Sequence, residues 1–257
     1  MTEQSVPKGE FYIGTSGLVL PVGNKTYYPE AFKDKSRLSF YGSLFSSIEI
    51  NSSFYKIPLS LTVRKWKEQV PSDFRFSFKL FRDITHAKHL IYDPKLITTF
   101  MNAISQVEEK AGSLLVQFPP SLKVHDMVNL ERLLIDIQSE PTSKKWTVAL
   151  EFRNADWYKD EVFELANKYK SCMVIHDKGS FGTEYHDNGT NAIYLRMHGP
   201  GGNYWESYDE GLLYEYASYV IEWMNKGKTV FVYFNNTMGS AILNLNTLRN
   251  AVLNGLV

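Results

Sequence analysis

The chain has 257 residues, 44% of them hydrophobic and 22% charged, with 28 basic and 28 acidic side chains, so it can bury a substantial core but has no bulk charge to draw it to nucleic acid or an anionic membrane. Cys172 is the single cysteine, which excludes an internal disulfide, a multi-cysteine zinc site and a cysteine-ligated iron–sulfur cluster. The stretch from Met1 to Glu10 lacks the basic-then-apolar order of a signal peptide and no apolar run reaches bilayer-spanning length, so a soluble cytoplasmic protein is expected.

In chain order, β-rich runs are predicted at Phe11–Gly17, Ser47–Tyr55, Arg75–Leu80, Ser113–Phe118, Thr147–Arg153, Cys172–Asp177, Ala192–Gly199 and Thr229–Asn236. Between them, apolar residues recur at three- and four-residue intervals near Ser36–Phe45, Leu61–Val70, Pro94–Lys110, Asp126–Gln138, Tyr158–Tyr169, Ser207–Asn225 and Ala241–Leu253. This alternation predicts parallel βαβ units and a closed α/β (β/α)8 barrel spanning residues 1–257 as one domain. The segment from Lys178 to Asn191 has no helical period, so the helix between strands six and seven is expected to be missing or short. The rival fold, a doubly wound sheet, has only the weak Gly14-Thr15-Ser16-Gly17 turn in its favour.

Side chains alternate along a strand, so Glu49 with Asn51, Ser77 with Lys79, Glu151 with Arg153, Arg196 with His198, and Tyr233 with Asn235 can each share an inward face. All stand at strand carboxyl ends, where a barrel carries its chemistry, and desolvation there moves pKa values. The competing reading pairs Glu49, Glu151 and Asp177 with Lys79, Arg153 and Arg196 as structural ion pairs. Guanidinium forks suit phosphate or carboxylate. The loops Gly199–Asn203 and Asn235–Gly239 occupy the positions that hold phosphate in many barrels. Tyr27, Tyr28, Tyr55, Trp157, Tyr204 and Trp205 are placed to stack on a sugar or base or merely to cover apolar surface. His86 and His89 have a three-residue spacing too weak to name a metal; His86 reads better as a hydrogen-bonding or proton-transfer group, and His125 and His186 carry no signal. His198, oriented by Glu151 or Asp177, is the leading acid/base candidate, with His176 also ending a strand.

The ordered set Ile13–Gly17, Tyr28-Pro29, Ile48–Tyr55, Lys79 with Ile84-Thr85-His86, Leu115–Pro120, Glu151-Phe152-Arg153 with Trp157, Arg196–Gly199, and Tyr233–Asn236 with Gly239 resembles the DUF72 family of uncharacterised YecE/YunF-like proteins. The resemblance implies a TIM-barrel-like fold with these residues in one site and supplies no reaction. Leu18 stands where the family commonly has Trp, and Ser53 where it has Thr.

The reading that follows is an enzyme, a hydrolase, isomerase or lyase, acting on a phosphorylated or otherwise anionic small molecule, a sugar or nucleotide. Its catalytic set is Glu49, Glu151, Asp177 and His198; its ligand set is Asn51, Tyr55, Lys79, His86, Arg153, Arg196, Asn235 and Asn236. No cofactor, resident metal or membrane partner is expected. One alternative is a metal-dependent phosphodiesterase acting on nucleic acid with Glu49, Glu151, Asp177 and His198 as ligands. Another is a non-catalytic ligand-binding or partner protein at the same mouth.

Overall fold

The computed structural model describes residues 8–178, 183 and 189–255. Eight strands, β1 (Phe11–Thr15), β2 (Ser47–Ile50), β3 (Arg75–Lys79), β4 (Ala111–Gln117), β5 (Thr147–Glu151), β6 (Cys172–His176), β7 (Ala192–Met197) and β8 (Thr229–Phe234), form one sheet in the order β1-β8-β7-β6-β5-β4-β3-β2, and every pairing is parallel. The sheet curls into a nearly closed TIM-like barrel. Around it lie α1 (Arg37–Leu44), α2 (Ser52–Tyr55), α3 (Ser60–Lys67), α4 (Arg82–Thr85), α5 (Lys95–Ile104), α6 (Met127–Ser139), α7 (Asp160–Lys168), α8 (Glu210–Asn225) and α9 (Ala241–Gly255).

Burial explains why the strands read as nearly continuous apolar runs, since a parallel barrel strand is covered on both faces. Outward residues such as Ile48, Phe76, Phe78, Leu114, Val116, Leu150, Leu195 and Val232 join helix residues including Phe100, Leu130, Leu134, Leu213 and Leu248 in one cluster. Inward residues Tyr12, Leu115, Ala149, Cys172, Val174, Ala192, Tyr194, Phe231 and Tyr233 form a second cluster that fills the lumen. The Tyr233 hydroxyl meets Ser47 Oγ at 2.6 Å and Ser77 Oγ at 2.7 Å, a polar floor beneath the mouth.

The seam between β1 and β2 lacks a regular ladder and is closed by one bridge, Ser16 to Glu49, and by Tyr41 of α1. The fully buried Tyr41 hydroxyl accepts from Thr15 N at 2.7 Å and donates to Ser47 O at 3.1 Å, replacing a missing backbone pair. Gly14 permits this approach, because a Cβ there would stand 1.9 Å from Ser47 O. Tyr41→Phe orphans a buried donor and a buried acceptor at once; a loss of about 1–3 kcal/mol is expected in urea denaturation, and an unchanged midpoint would dismiss the seam role.

Two sequence expectations change. The second strand stops at Ile50 instead of running to Tyr55: Asn51 turns into right-handed helical backbone (φ −84°, ψ −22°), and Ser53 Oγ donates to Ile50 O and Lys79 O at 2.7 Å each. The helix expected over Pro94–Lys110 ends at Ile104 and continues as 3-10 turns to Lys110, broken by Glu108 at φ 55°. The helix-free reading of the connection from Lys178 to Asn191 falls mostly outside the described residues, as does His186.

Candidate functional site

Arg196, at the carboxyl end of β7, is the hub of the mouth. Inward-facing and buried, it spans the lumen: Nε donates to Glu49 Oε2 at 3.0 Å, Nη2 to Glu49 Oε1 at 2.7 Å and Nη1 to Glu151 Oε2 at 2.7 Å. Two fully buried carboxylates from opposite sides of the barrel thus share one guanidinium, a planar fork suited to them. Glu49 also receives hydrogen bonds from the Ser16 hydroxyl and from Tyr194 OH, the latter at 2.6 Å. Burial alone would raise both glutamates; Arg196, joined by Ser16 and Tyr194 at Glu49 and by Arg153 at Glu151, overcomes it and holds both below the ordinary carboxylate range. All three are therefore ionised, and every nitrogen of Arg196 is engaged.

His198 stands two residues on. Its Nε2 faces Arg153 Nη2 at 3.2 Å and Arg196 Nη1 at 3.3 Å, and guanidinium nitrogens only donate, so Nε2 is the acceptor. The proton therefore sits on Nδ1, which donates to Asp177 Oδ1 at 3.1 Å. Desolvation, aided by Arg196 and Arg153 against the pull of Asp177, pushes His198 down to about 4. Asp177 is itself fixed by His198 N at 2.7 Å and by the Tyr208 hydroxyl, and these bonds hold it below its usual range despite burial. His176 is a wall residue: Nε2 donates to Phe152 O at 3.1 Å and Nδ1 accepts from Lys178 N at 3.2 Å. Glu151 and Asp177 are thus both held below the ordinary carboxylate range, and the Nε2 lone pair of His198 faces Arg153 and Arg196.

Lys79 differs from all of these. It ends β3 half-buried, with no ion pair or hydrogen bond from its amine among the described residues, and its Nζ lies over the Phe54 ring, 4.1 Å from the centroid. Desolvation first, then repulsion by Arg196 and to a smaller degree by Arg153, against attraction by Glu151 and Glu49, pushes it down to about 8. Arg153 Nη2 is ion-paired with Glu151 Oε1, while its Nη1 is buried without a partner among the described residues. Asn51 donates to Ser16 Oγ at 2.5 Å, and its buried Oδ1 has no partner among them. Asn235 is half-buried and makes no side-chain hydrogen bond among the described residues.

Other expected ligand residues lie elsewhere. Tyr55 is 69% exposed, and because β2 ends early it is Phe54 that covers Lys79. His86 packs its ring edge-on against Phe54 with centroids 4.9 Å apart; desolvation, Lys79 and Arg82 push it down to about 4, so it is neutral. Asn236 is buried, its Nδ2 donating to Glu206 O at 3.1 Å and Asn244 Oδ1 at 2.9 Å, while its Oδ1 has no partner among the described residues. Tyr28 and Trp157 are core residues, whereas Tyr204 lies edge-on to His198 at 5.8 Å. Several amides of the two loops expected to cradle phosphate are spent within the protein: Gly199 N on Tyr208 OH (2.5 Å), Gly202 N on Gly199 O (2.7 Å), Asn235 N on Met197 O (2.7 Å), Met238 N on Tyr204 O (3.2 Å) and Gly239 N on Asn236 O (2.9 Å). A cavity of about 440 Å³ opens at the opposite, amino end of the barrel, lined mainly by apolar residues such as Phe11, Phe45 and Phe74 and remote from these charges.

Tyr194 and Tyr208 were not among the expected site residues. Tyr194 precedes Arg196 by two on β7, so strand alternation alone placed it inward; Tyr208 comes from an irregular loop that carries no such signal. Among the described residues no three of Glu49, Glu151, Asp177 and His198 gather around a common metal position. No helix among them is long and apolar enough to cross a membrane.

The chain is similar to UPF0759 protein YunF of Bacillus subtilis (strain 168), 26% identical over 260 residues and covering 89% of each chain. It also shares its fold with a DUF72 family protein of Enterococcus faecalis V583 (TM-score 0.78, 20% identity, 95% of each chain) and with one of Thermotoga maritima MSB8 (TM-score 0.72, 23% identity, 95% of this chain and 99% of that one). The family model described as "Protein of unknown function DUF72" matches residues 12–255, which include every charged residue of the mouth, and the chain belongs to that family.

Proposed function

We propose that the protein is a cytoplasmic enzyme that binds a small anionic molecule, a phosphorylated sugar or nucleotide in the first instance, at the carboxyl mouth of the barrel and transforms it by acid/base chemistry. The observation that carries this reading is Lys79, an amine with no counter-charge in contact among the described residues, together with Arg153, whose Nη1 has no partner among them. An incoming oxyanion supplies what both lack. Asn51 Oδ1 accepts a hydroxyl of the ligand, and Asn235 adds a second polar contact. Arg196, Glu49 and Glu151 form the rigid charged base that fixes Arg153, and His198 with Asp177 orients it. Lys79, titrating near neutrality, is the acid/base group best matched to working pH.

The test is a melting-temperature panel with inorganic phosphate, phosphate monoesters and nucleotides. A ligand at about 100 times its Kd stabilises the native state by about 2.7 kcal/mol. At least one anion is expected to raise the Tm of the wild type, and the rise is expected to vanish in Lys79→Met and Arg153→Gln. A panel that leaves the Tm unmoved sinks the anion reading, and stabilisation without turnover of the stabilising ester makes the protein a binder and not an enzyme.

A further inference from the structure

We propose that His89, His125 and Asp126 bind a single transition-metal dication, zinc or a metal of like preference, which clips the loop after β3 to the loop after β4. The three come from two loops. One ligand atom from each lies within 4.8 Å of the others, the only such group of three among the described residues.

The central observation is the carboxylate of Asp126. It stands at the residue before α6, where an aspartate ordinarily turns an oxygen back onto the free amides of its own helix. Here it makes no cap bond. Both oxygens face imidazoles instead: Oδ1 lies 2.9 Å from His89 Nδ1 and Oδ2 lies 3.7 Å from His125 Nε2. The Asp126 side chain is only 8% exposed, while those of His89 and His125 are 48% and 69% exposed. No lysine or arginine lies within ion-pair distance of it among the described residues. An enclosed carboxylate without a full cationic partner is costly, and a dication between the three groups supplies one.

A tetrahedral centre with bonds of about 2.0–2.1 Å sets its ligand atoms roughly 3.3 Å apart. His89 Nδ1 stands 2.9 Å from one Asp126 oxygen and His125 Nε2 3.7 Å from the other, and one ligand atom from each residue lies within 4.8 Å of the others, so small side-chain rotations bring the three onto one ion. The two imidazole rings, tilted by 45° with centroids 6.2 Å apart, converge on the carboxylate without stacking. Two imidazoles and one carboxylate form a familiar zinc set, and exposure of both histidines leaves the remaining position to water. His89 and its neighbour Leu90 adopt left-handed backbone, φ 54° and 55°, and the His89 imidazole lies against Asp126 and His125. The spacing of His86 and His89 therefore points to the wrong partner; the partner is His125, contributed by another loop.

The experiment is titration of the full chain with Co²⁺ alone, followed by visible absorption, then competition with Zn²⁺. One Co²⁺ per chain is expected, with intense bands of low-coordinate cobalt that zinc abolishes. His125→Gln, at an exposed position that leaves the fold intact, is expected to weaken binding by more than about 100-fold, beyond the loss of an outer hydrogen bond to a ligand. His86→Gln, in the same loop but outside the group, is expected to change nothing. Failure to bind cobalt, or stoichiometric binding that survives His125→Gln, overturns the proposal. Neither result touches the anion site, whose readout depends on Lys79 and Arg153.

Discussion

Arg196→Met is expected to lower the stability of the fold by about 3–5 kcal/mol in urea denaturation at pH 7, because it leaves the two carboxylates of Glu49 and Glu151 buried with their shared cation gone. Truncating a partner costs more than the pair contributes, so the decisive comparison is the triple variant Glu49→Gln, Glu151→Gln, Arg196→Met. With these three charges removed together, no buried carboxylate is left without its cation and only Arg153, at 12% side-chain exposure, loses its carboxylate, so the triple is expected to be more stable than Arg196→Met alone. This is the non-additivity that groups in one network show. Acid titration gives a second reading. Both glutamates have folded-state pKa values below their unfolded values, so their stabilisation is fully present above about pH 4.3 and is lost as pH falls toward the folded values. The wild type is therefore expected to lose stability steeply below about pH 4.3, and the triple variant to lose less over the same range. An Arg196→Met protein as stable as wild type would show that the network does not hold the mouth together.

The same residues show what the sequence could and could not reveal. A period of two put Glu49, Glu151, Arg153, Arg196 and His198 on one inward face at the carboxyl ends, and all five meet there. Alternation fixes the side to which a residue points and says nothing of its partners, so whether these charges were free for a ligand or spent on one another stayed open. The answer is divided. Arg196 is fully spent, whereas among the described residues Arg153 keeps one nitrogen unpartnered and Lys79 has no counter-ion in contact. Where the backbone leaves the strand the pattern fails: the early end of β2 exchanges Tyr55 for Phe54 over Lys79, a consequence of the Ser53 hydroxyl bonds that no hydrophobic period encodes. Loop residues brought together from distant positions, Tyr208 on Asp177 and His125 beside His89, are likewise invisible to periodicity.

Lys79 is expected to be the most reactive lysine of the chain toward a phosphorylated aldehyde. An amine pushed down to about 8 is roughly one-fifth unprotonated at pH 7.4, against about a thousandth for an ordinary lysine, a gain of roughly 200-fold in nucleophilic form, partly offset by its weaker basicity. Pyridoxal phosphate pairs an aldehyde with a phosphate. Lys79 attacks the aldehyde carbon, water leaves, and borohydride reduces the resulting imine to a stable secondary amine that peptide mass spectrometry locates. Labelling is expected to concentrate on Lys79, to be absent in Lys79→Arg, and to rise with a midpoint near pH 8. The neighbouring charges set the direction of two further shifts. Arg153 lowers the pKa of Lys79, so Arg153→Gln is expected to move the midpoint upward while weakening capture of the phosphate. Glu151 raises it, so Glu151→Gln is expected to move the midpoint downward. A merely exposed lysine would show neither shift. Labelling spread evenly over the surface lysines, or a midpoint above 10 in the wild type, would remove Lys79 from the centre of the proposed chemistry and leave the mouth as a structural knot of ion pairs.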